Sequence, residues 1–311
     1  MSRPVSLEGA PEPGPYAGDG PRLMATSDLH VRYPENRLLL DRIRPTHPGD
    51  WLLVVGDVAE RLDDVRFALE VLAGRFATVV WVPGNHELWT AERGDEALGG
   101  QARYEALVAI CRALGVLTPE DPFPLWTGPG GPARIAPMFL LYDYTFRPEG
   151  TYAKPDALER AYAAGVVCTD EHLLHPDPFD TRDEWCRARV ALTEARLAAC
   201  DPGVPLVLMN HFPLVREPTR VLRHPEFALW CGTELTADWH VRFPTAVAVY
   251  GHLHIPRTTW YDGVRFEEVS LGYPREWRSF PFRKPLPRQI LPAPPESSAP
   301  AGGMRTARAG R

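Results

Sequence analysis

Lysine is almost missing from the 311-residue sequence: only Lys154 and Lys284 stand among 34 basic side chains, and the rest are arginine. Biased base composition of the genome accounts for that, and no function is read from it. Long hydrophobic runs are missing too. No stretch approaches the roughly 18 apolar residues a membrane span needs, and the N-terminus has neither the charged start nor the apolar segment of a secretory signal. A soluble, cytoplasmic protein without a membrane partner is expected. Cysteines are few and dispersed (Cys111, Cys168, Cys186, Cys200, Cys231), with no Cys-x-x-Cys pair. That excludes a disulfide framework or a thiolate metal site and leaves them as small buried hydrophobes. Positive charge is not in excess, since the net charge is −6. General nucleic-acid binders are basic, so stable nucleic-acid binding is not expected. Finally, periodicity is absent from both ends, which are rich in proline. Residues 1–20 and 285–311 are expected to be disordered, flanking one folded unit over 21–284.

Within that unit, short apolar runs alternate with helical patterns. Arg22–Ser27, Trp51–Val55, Thr78–Val82, Pro205–Met209 and Thr245–Tyr250 read as buried strands. Leu62–Phe76 and Asp183–Cys200 read as amphipathic helices, as does, more weakly, Gln101–Leu114. Strand–helix–strand order implies layered α/β architecture. Arg257–Tyr261 and Val264–Ser270 flank Asp262-Gly263, a pair that favours a type I′ turn, so a hairpin makes the sheet mixed. The stretch 142–182 follows neither rhythm. It reads as a partly helical insertion, either a cover for the site or a surface excursion.

The polar residues that follow the strands carry the chemistry. Ser27-Asp28-Leu29-His30 follows the first, Gly56-Asp57-Val58-Ala59-Glu60 the second and Gly84-Asn85-His86-Glu87 the third. Asn210-His211 follows the fourth and Gly251-His252-Leu253-His254 the fifth. Ligands of open α/β sheets bind at the carboxyl ends of strands, so five placements converge on one region. In Asp28-x-His30 and His252-x-His254, alternate residues of an extended segment point the same way. Asp57 offers two oxygens to two ions, and Asn85 a neutral amide oxygen. Imidazole and oxygen donors without thiolate suit Mn, Fe, Zn or Co better than Ca or Mg. Two ions about 3.5–4 Å apart clamp the attacking and leaving oxygens of a displacement at phosphorus. Any one of these motifs alone is weak; the ordered set is specific. By contrast His47, His172, His175, His224 and His240 lack such context and read as structural or surface residues.

The series DLH, GDVAE, GNHE, NH and GHLH resembles the calcineurin-like metallophosphoesterases across the whole folded unit. The resemblance implies a four-layer α/β/β/α sandwich with two central mixed sheets. By matching position it implies that Asp28, His30, Asp57 and His254 hold one metal ion, and Asp57, Asn85, His211 and His252 the other. Mn and/or Fe are the expected ions, with Zn as a further fit. It also implies in-line attack by a hydroxide bridging the ions, with His86 protonating the leaving alkoxide, Glu60 orienting His86, and Glu87 placed behind the ligands. Longer runs, among them WLLVVGDVAE, FALWCGTELTADWH and YGHLHIPRTTWYDGVRFEEVSLGYPREW, are similar to bacterial phosphopantetheinyl hydrolases, which remove 4′-phosphopantetheine from carrier proteins. An acyl or peptidyl carrier protein is then the expected partner. A phosphodiesterase or phosphatase for small nucleotide-type esters is the alternative within the superfamily, and a non-catalytic scaffold the alternative outside it. Trp89, Trp126, Trp230 and Trp239 read first as core, with an apolar slot for a pantetheine arm as the other reading. The clusters Arg216/Arg220/Arg223 and Arg275/Arg278/Arg283/Lys284 read as either solvated surface or a docking face for an acidic carrier protein.

Overall fold

A computed structural model describes residues 7–11, 19–90, 97–279 and 285–295. Three strands open it: β1 (Leu23–Thr26), β2 (Trp51–Val55) and β3 (Thr78–Val82), all parallel and in the order β1-β2-β3. Between them run α1 (Pro34–Leu39) and α2 (Leu62–Ala73). Pro34 at the first turn of α1 suits the fixed backbone angle of a helix start, and Asp63 and Asp64 complement the positive end of α2. After β3 come the short α3 (Asn85–Leu88) and then α4 (Gly100–Ala113).

The second sheet gathers β4 (Leu125–Trp126), β5 (Ala133–Pro137), β6 (Leu206–Met209), β7 (Thr245–Tyr250), β8 (Arg257–Tyr261) and β9 (Val264–Glu268), ordered β4-β5-β6-β7-β9-β8. β5, β6, β7 and β9 are mutually parallel, while β4 and β8 are antiparallel edges. The hairpin β8–β9 turns at Asp262 and Gly263 with φ of 50° and 82°, the left-handed pair that a type I′ turn requires. Helices α5 (Lys154–Ala163), α6 (Asp170–Leu173) and α7 (Arg182–Ala198) lie between β5 and β6. Thr181 caps α7 by accepting the Glu184 N–H at 3.2 Å. Helices α8 (Trp239–Arg242) and α9 (Pro274–Ser279) follow, and β10 (Arg288–Leu291) closes the order.

The strands sort their side chains by parity. Leu23, Ala25, Leu53, Val55, Val80 and Val82 of the first sheet meet Ile135, Val207, Met209, Val247 and Val249 of the second in one cluster. Their alternates Met24, Leu52, Val54, Trp81, Leu208, Ala248 and Tyr250 face helices instead, among Leu69, Leu107, Trp185 and Trp239. Both faces of each sheet are therefore covered, which is why the strands read as continuous apolar runs rather than alternating ones. The architecture is the four-layer α/β/β/α sandwich.

One expectation is corrected. The tail from 285 was expected to be disordered, yet β10 pairs antiparallel with β1, and Ile290 and Leu291 fill the core between the sheets. Proline hides it, but Pro287 and Pro292 flank the strand rather than interrupt it. Residues 296–311 lie outside the described residues, as do 1–6 and 12–18 of the expected N-terminal arm, whereas Ala10 is buried against the core. The stretch 142–182 is no surface excursion at its start, because Tyr142, Tyr144 and Phe146 are fully buried.

Candidate metal centre

The five motifs meet where the strands end. The turn after β1 lies along the turn after β2: Asp28, His30 and Val31 donate their backbone N–H to the carbonyls of Gly56, Asp57 and Val58. The chain leaving β9 crosses to the same place, bridging Ser270 to Ser27 and so stitching the two sheets together at this edge. Asp28, His30, Asp57, His252 and His254 all have positive φ, between 42° and 69°. Left-handed backbone costs a non-glycine residue about 1–3 kcal/mol, and such positions cluster at functional sites. Gly84 and Gly251 allow the close approach. A Cβ on Gly84 would fall on the Asp57 carboxylate, and one on Gly251 on the Asp28 carboxylate. Gly84→Ala is accordingly expected to push Asp57 out of place. It should cost about 1–3 kcal/mol of stability by overpacking and lower the metal content of the purified protein, read by thermal melting and elemental analysis.

The side chains form two lobes that share Asp57. In the first, His254 Nε2 lies 3.0 Å from Asp28 Oδ1 and 3.3 Å from His30 Nε2, while His30 Nε2 lies 3.9 Å from Asp57 Oδ2. In the second, His211 Nε2 lies 3.5 Å from Asp57 Oδ2 and 3.2 Å from Asn85 Oδ1. The His252 ring packs 5.1 Å from that of His211, and its buried Nε2 has no hydrogen-bond partner among the described residues. Asp28/His30/His254, Asp28/Asp57/His211 and His30/Asp57/His86 are each close enough to share an ion.

These donors fit cations. Burial is the first cause that holds His30, His211 and His252 below the ordinary imidazole value, so they present lone pairs rather than protons. Tautomers are set from behind. His211 Nδ1 sits 2.9 Å from the Val55 carbonyl, which can only accept, so the proton is on Nδ1 and Nε2 faces the centre. His254 Nδ1 meets Glu276 Oε2 at 2.6 Å with the same result. Burial, and then the Glu87 and Asp28 carboxylates, push Asp57 well above the usual carboxylate range. His254 departs from the other three imidazoles: burial lowers it, but the Asp28 carboxylate and the Asp28 and Glu276 hydrogen bonds hold it well above the ordinary imidazole value, so an ion entering the first lobe would displace its proton. The Glu87 carboxylate is taken up by the backbone N–H groups of Gly84, Asp57 and Val58 at 2.8–2.9 Å, which places it behind the Asp57 turn.

His86 stands at the mouth. Its Nδ1 is 3.1 Å from Glu60 Oε1, and its Nε2 is 3.8 Å from Asp57 Oδ2. Burial would raise Glu60, but the His86 ring and its hydrogen bond hold the carboxyl below its ordinary value, so it faces the imidazole as an anion. Arg103 of α4 fixes this corner by donating to the carbonyls of Glu60 and Glu87.

Several residues went unseen in the sequence. Ser270 donates to Asp28 Oδ2 at 2.6 Å, Glu276 backs His254, and Tyr273 stacks on His30 with its OH 3.4 Å from His86 Nε2. All lie after β9, a sixth strand end, and Pro274 marks the helix start that delivers them. Of the four tryptophans, Trp126, Trp230 and Trp239 are core, whereas Trp89 lies over His86 with ring centres 3.7 Å apart. Arg278 pairs with Glu35 and Arg220 with Glu217; Arg283 and Lys284 lie outside the described residues.

The model of the calcineurin-like phosphoesterase family matches residues 21–256, and the chain belongs to that family. It is a metal-dependent phosphoric ester hydrolase with the fold that the sandwich and its sheet order display. It is 57% identical over 279 residues (89% of this chain, 85% of the other) to the [acyl-carrier-protein] phosphodiesterase PptH of Mycobacterium tuberculosis. The crystal structure of phosphopantetheinyl hydrolase (PptH) from the same organism is similar at a TM-score of 0.86 and 57% identity. The match covers 91% of this chain and all of that one.

Proposed function

We propose that the enzyme hydrolyses the phosphodiester joining 4′-phosphopantetheine to the serine of an acyl or peptidyl carrier protein. The observation that carries this substrate is the 57% identity, over nine tenths of the chain, to a protein named for that reaction. In this reading Asp28, His30, Asp57 and His254 hold one ion, and Asp57, Asn85, His211 and His252 the second. The donor set suits Mn, Fe or Zn. Two ions held there supply Lewis-acid polarisation of the phosphoryl oxygens and make water a better nucleophile at neutral pH.

The chain's own residues supply the rest. Cleavage breaks the bond between phosphorus and the serine oxygen, and water supplies the hydroxyl that ends on phosphorus. The serine alkoxide is a poor leaving group and needs a proton. His86, at the mouth and backed by Glu60, is the proton donor, with its ring oriented by the Glu60 carboxylate at Nδ1. Trp89 over the ring excludes water from one face of it. The five cysteines are all free thiols, in keeping with the reducing cytoplasm as the place of action.

The test is incubation of holo acyl carrier protein with the Mn²⁺-loaded enzyme, read by intact mass. Loss of the phosphopantetheine mass is expected. No loss, with bis-p-nitrophenyl phosphate still cleaved, would discard the carrier protein as substrate and favour a small nucleotide-type ester.

A further inference from the structure

The stretch 142–182 enters the centre at one residue. Asp170, the first residue of α6, is fully buried, and its Oδ1 accepts two hydrogen bonds from α3 and the residue that follows it. One comes from Asn85 Nδ2 at 2.9 Å and the other from the Trp89 indole N–H at 2.6 Å. The same segment is tied to the insertion by backbone as well: Trp89 bridges Leu174, and the Thr90 N–H donates to the Leu173 carbonyl. Asp170 is itself held in place. Arg182 of α7 donates to its carbonyl at 2.8 Å and pairs with Glu171 at 3.2 Å, and Glu171 accepts from Tyr144 OH and the Trp230 indole.

From this geometry we propose that Asp170 is a positioning residue of the metal centre, supplied by the insertion. It orients the Asn85 amide and the Trp89 ring through a single carboxylate oxygen. An asparagine side chain can present either its oxygen or its NH₂ to a neighbour, and only the oxygen can ligate a cation. Asp170 is an acceptor, so it takes the NH₂ and leaves Asn85 Oδ1 turned toward His211 and the second lobe. A carboxylate accepting from an amide also makes a stronger bond than a neutral acceptor would. The second bond holds the indole that lies over His86. The segment 142–182 is then a fixed wall of the site, bonded to it at rest, rather than a flap that must close over it.

This inference rests on the reading of Asn85 as a ligand, so Asn85→Ala is measured beside the Asp170 variants. The readouts are Mn²⁺ affinity of the second site and the electron paramagnetic resonance signal, which differs between an exchange-coupled pair and a single ion. Partners behind metal ligands are typically worth 10–100-fold in affinity. Asp170→Ala is expected to lose about that much at the second site, so that the coupled signal gives way to a mononuclear one, while the first site keeps its ion. Asp170→Asn, which preserves shape and an acceptor oxygen but not the charge, is expected to fall between wild type and the alanine variant at an unchanged melting temperature. Wild-type second-site affinity in folded Asp170→Ala, or in Asp170→Asn should the alanine variant not fold, overturns the proposal. If Asn85→Ala also keeps both ions, the ligand reading fails together with it. If Asn85→Ala loses the second ion and the Asp170 variants do not, the orienting role alone fails.

Discussion

His86→Ala is expected to slow release of the carrier-protein serine by about 10²–10⁴-fold, the usual contribution of a positioned general acid. Hydrolysis of bis-p-nitrophenyl phosphate should fall far less, because p-nitrophenolate leaves without a proton. Metal content should change little, since the backbone N–H of His86, which alanine retains, bonds Asp57 Oδ1, while its ring Nε2 lies 3.8 Å from Asp57 Oδ2, beyond hydrogen-bond reach. The discriminating measurement is the ratio of the two losses in kcat for one preparation of known metal content. Equal losses for both esters would remove the proton-donor role and leave His86 as a stabiliser of phosphoryl charge. A kcat near wild type on the carrier protein would remove both roles.

Asp57→Asn is expected to have the larger effect, because Asp57 is the residue both lobes share. Lewis-acid stabilisation of the transition state is worth several kcal/mol, so its loss corresponds to about 10³-fold or more in kcat/KM. The stability signature should run the other way. In the metal-free protein Asp57 is a buried carboxylate beside the Asp28 and Glu87 carboxylates, and burial and those neighbours push it up. Replacing it by an amide relieves that crowding, so metal-free Asp57→Asn should melt no lower than metal-free wild type. Added Mn²⁺ should then raise the melting temperature of wild type, which binds the ions only when folded, and leave the variant almost unmoved. A variant that melts well below wild type in chelator, yet still gains from Mn²⁺, would show that the aspartate serves the fold rather than the ions.

The parts of the fold legible in the sequence are those whose signal is local. Thr78–Val82 and Thr245–Tyr250 are continuous apolar runs because both faces of their sheets are covered, and the structure returns the same bounds. The Asp262-Gly263 turn was legible because its backbone angles demand those residues. β5 was not: its five residues, Ala-Arg-Ile-Ala-Pro, hold only one large aliphatic side chain, and tertiary neighbours supply its strand character. β10 was hidden by composition, since its buried Arg288 owes its place to an ion pair with Glu267, a partner no local pattern can announce. The candidate site divides the same way. Aspartate, histidine and asparagine after strand ends, several of them glycine-bearing, stand out one motif at a time. Asp170, Glu276 and Ser270 do not, because each acts by facing another side chain's far atom across the fold, and spacing along the chain records nothing of that.

The pairing of β10 with β1 has a consequence for how the molecule is made. Among the described strands the ribosome delivers β1 first and β10 last, so these two neighbours in the sheet are more than 250 residues apart along the chain. By the moment His254 emerges, every residue of both lobes has been synthesised, yet β1, from which Asp28 and His30 hang, still has one bare side. Contacts this distant in sequence close late because loop entropy must be overcome first. A bare strand edge is also open to pairing with other chains until it is covered. The nascent protein therefore passes through an interval in which the residues of both lobes have been made but the sheet that carries half of them is not closed, and the proline-flanked strand Arg288–Leu291 ends that interval.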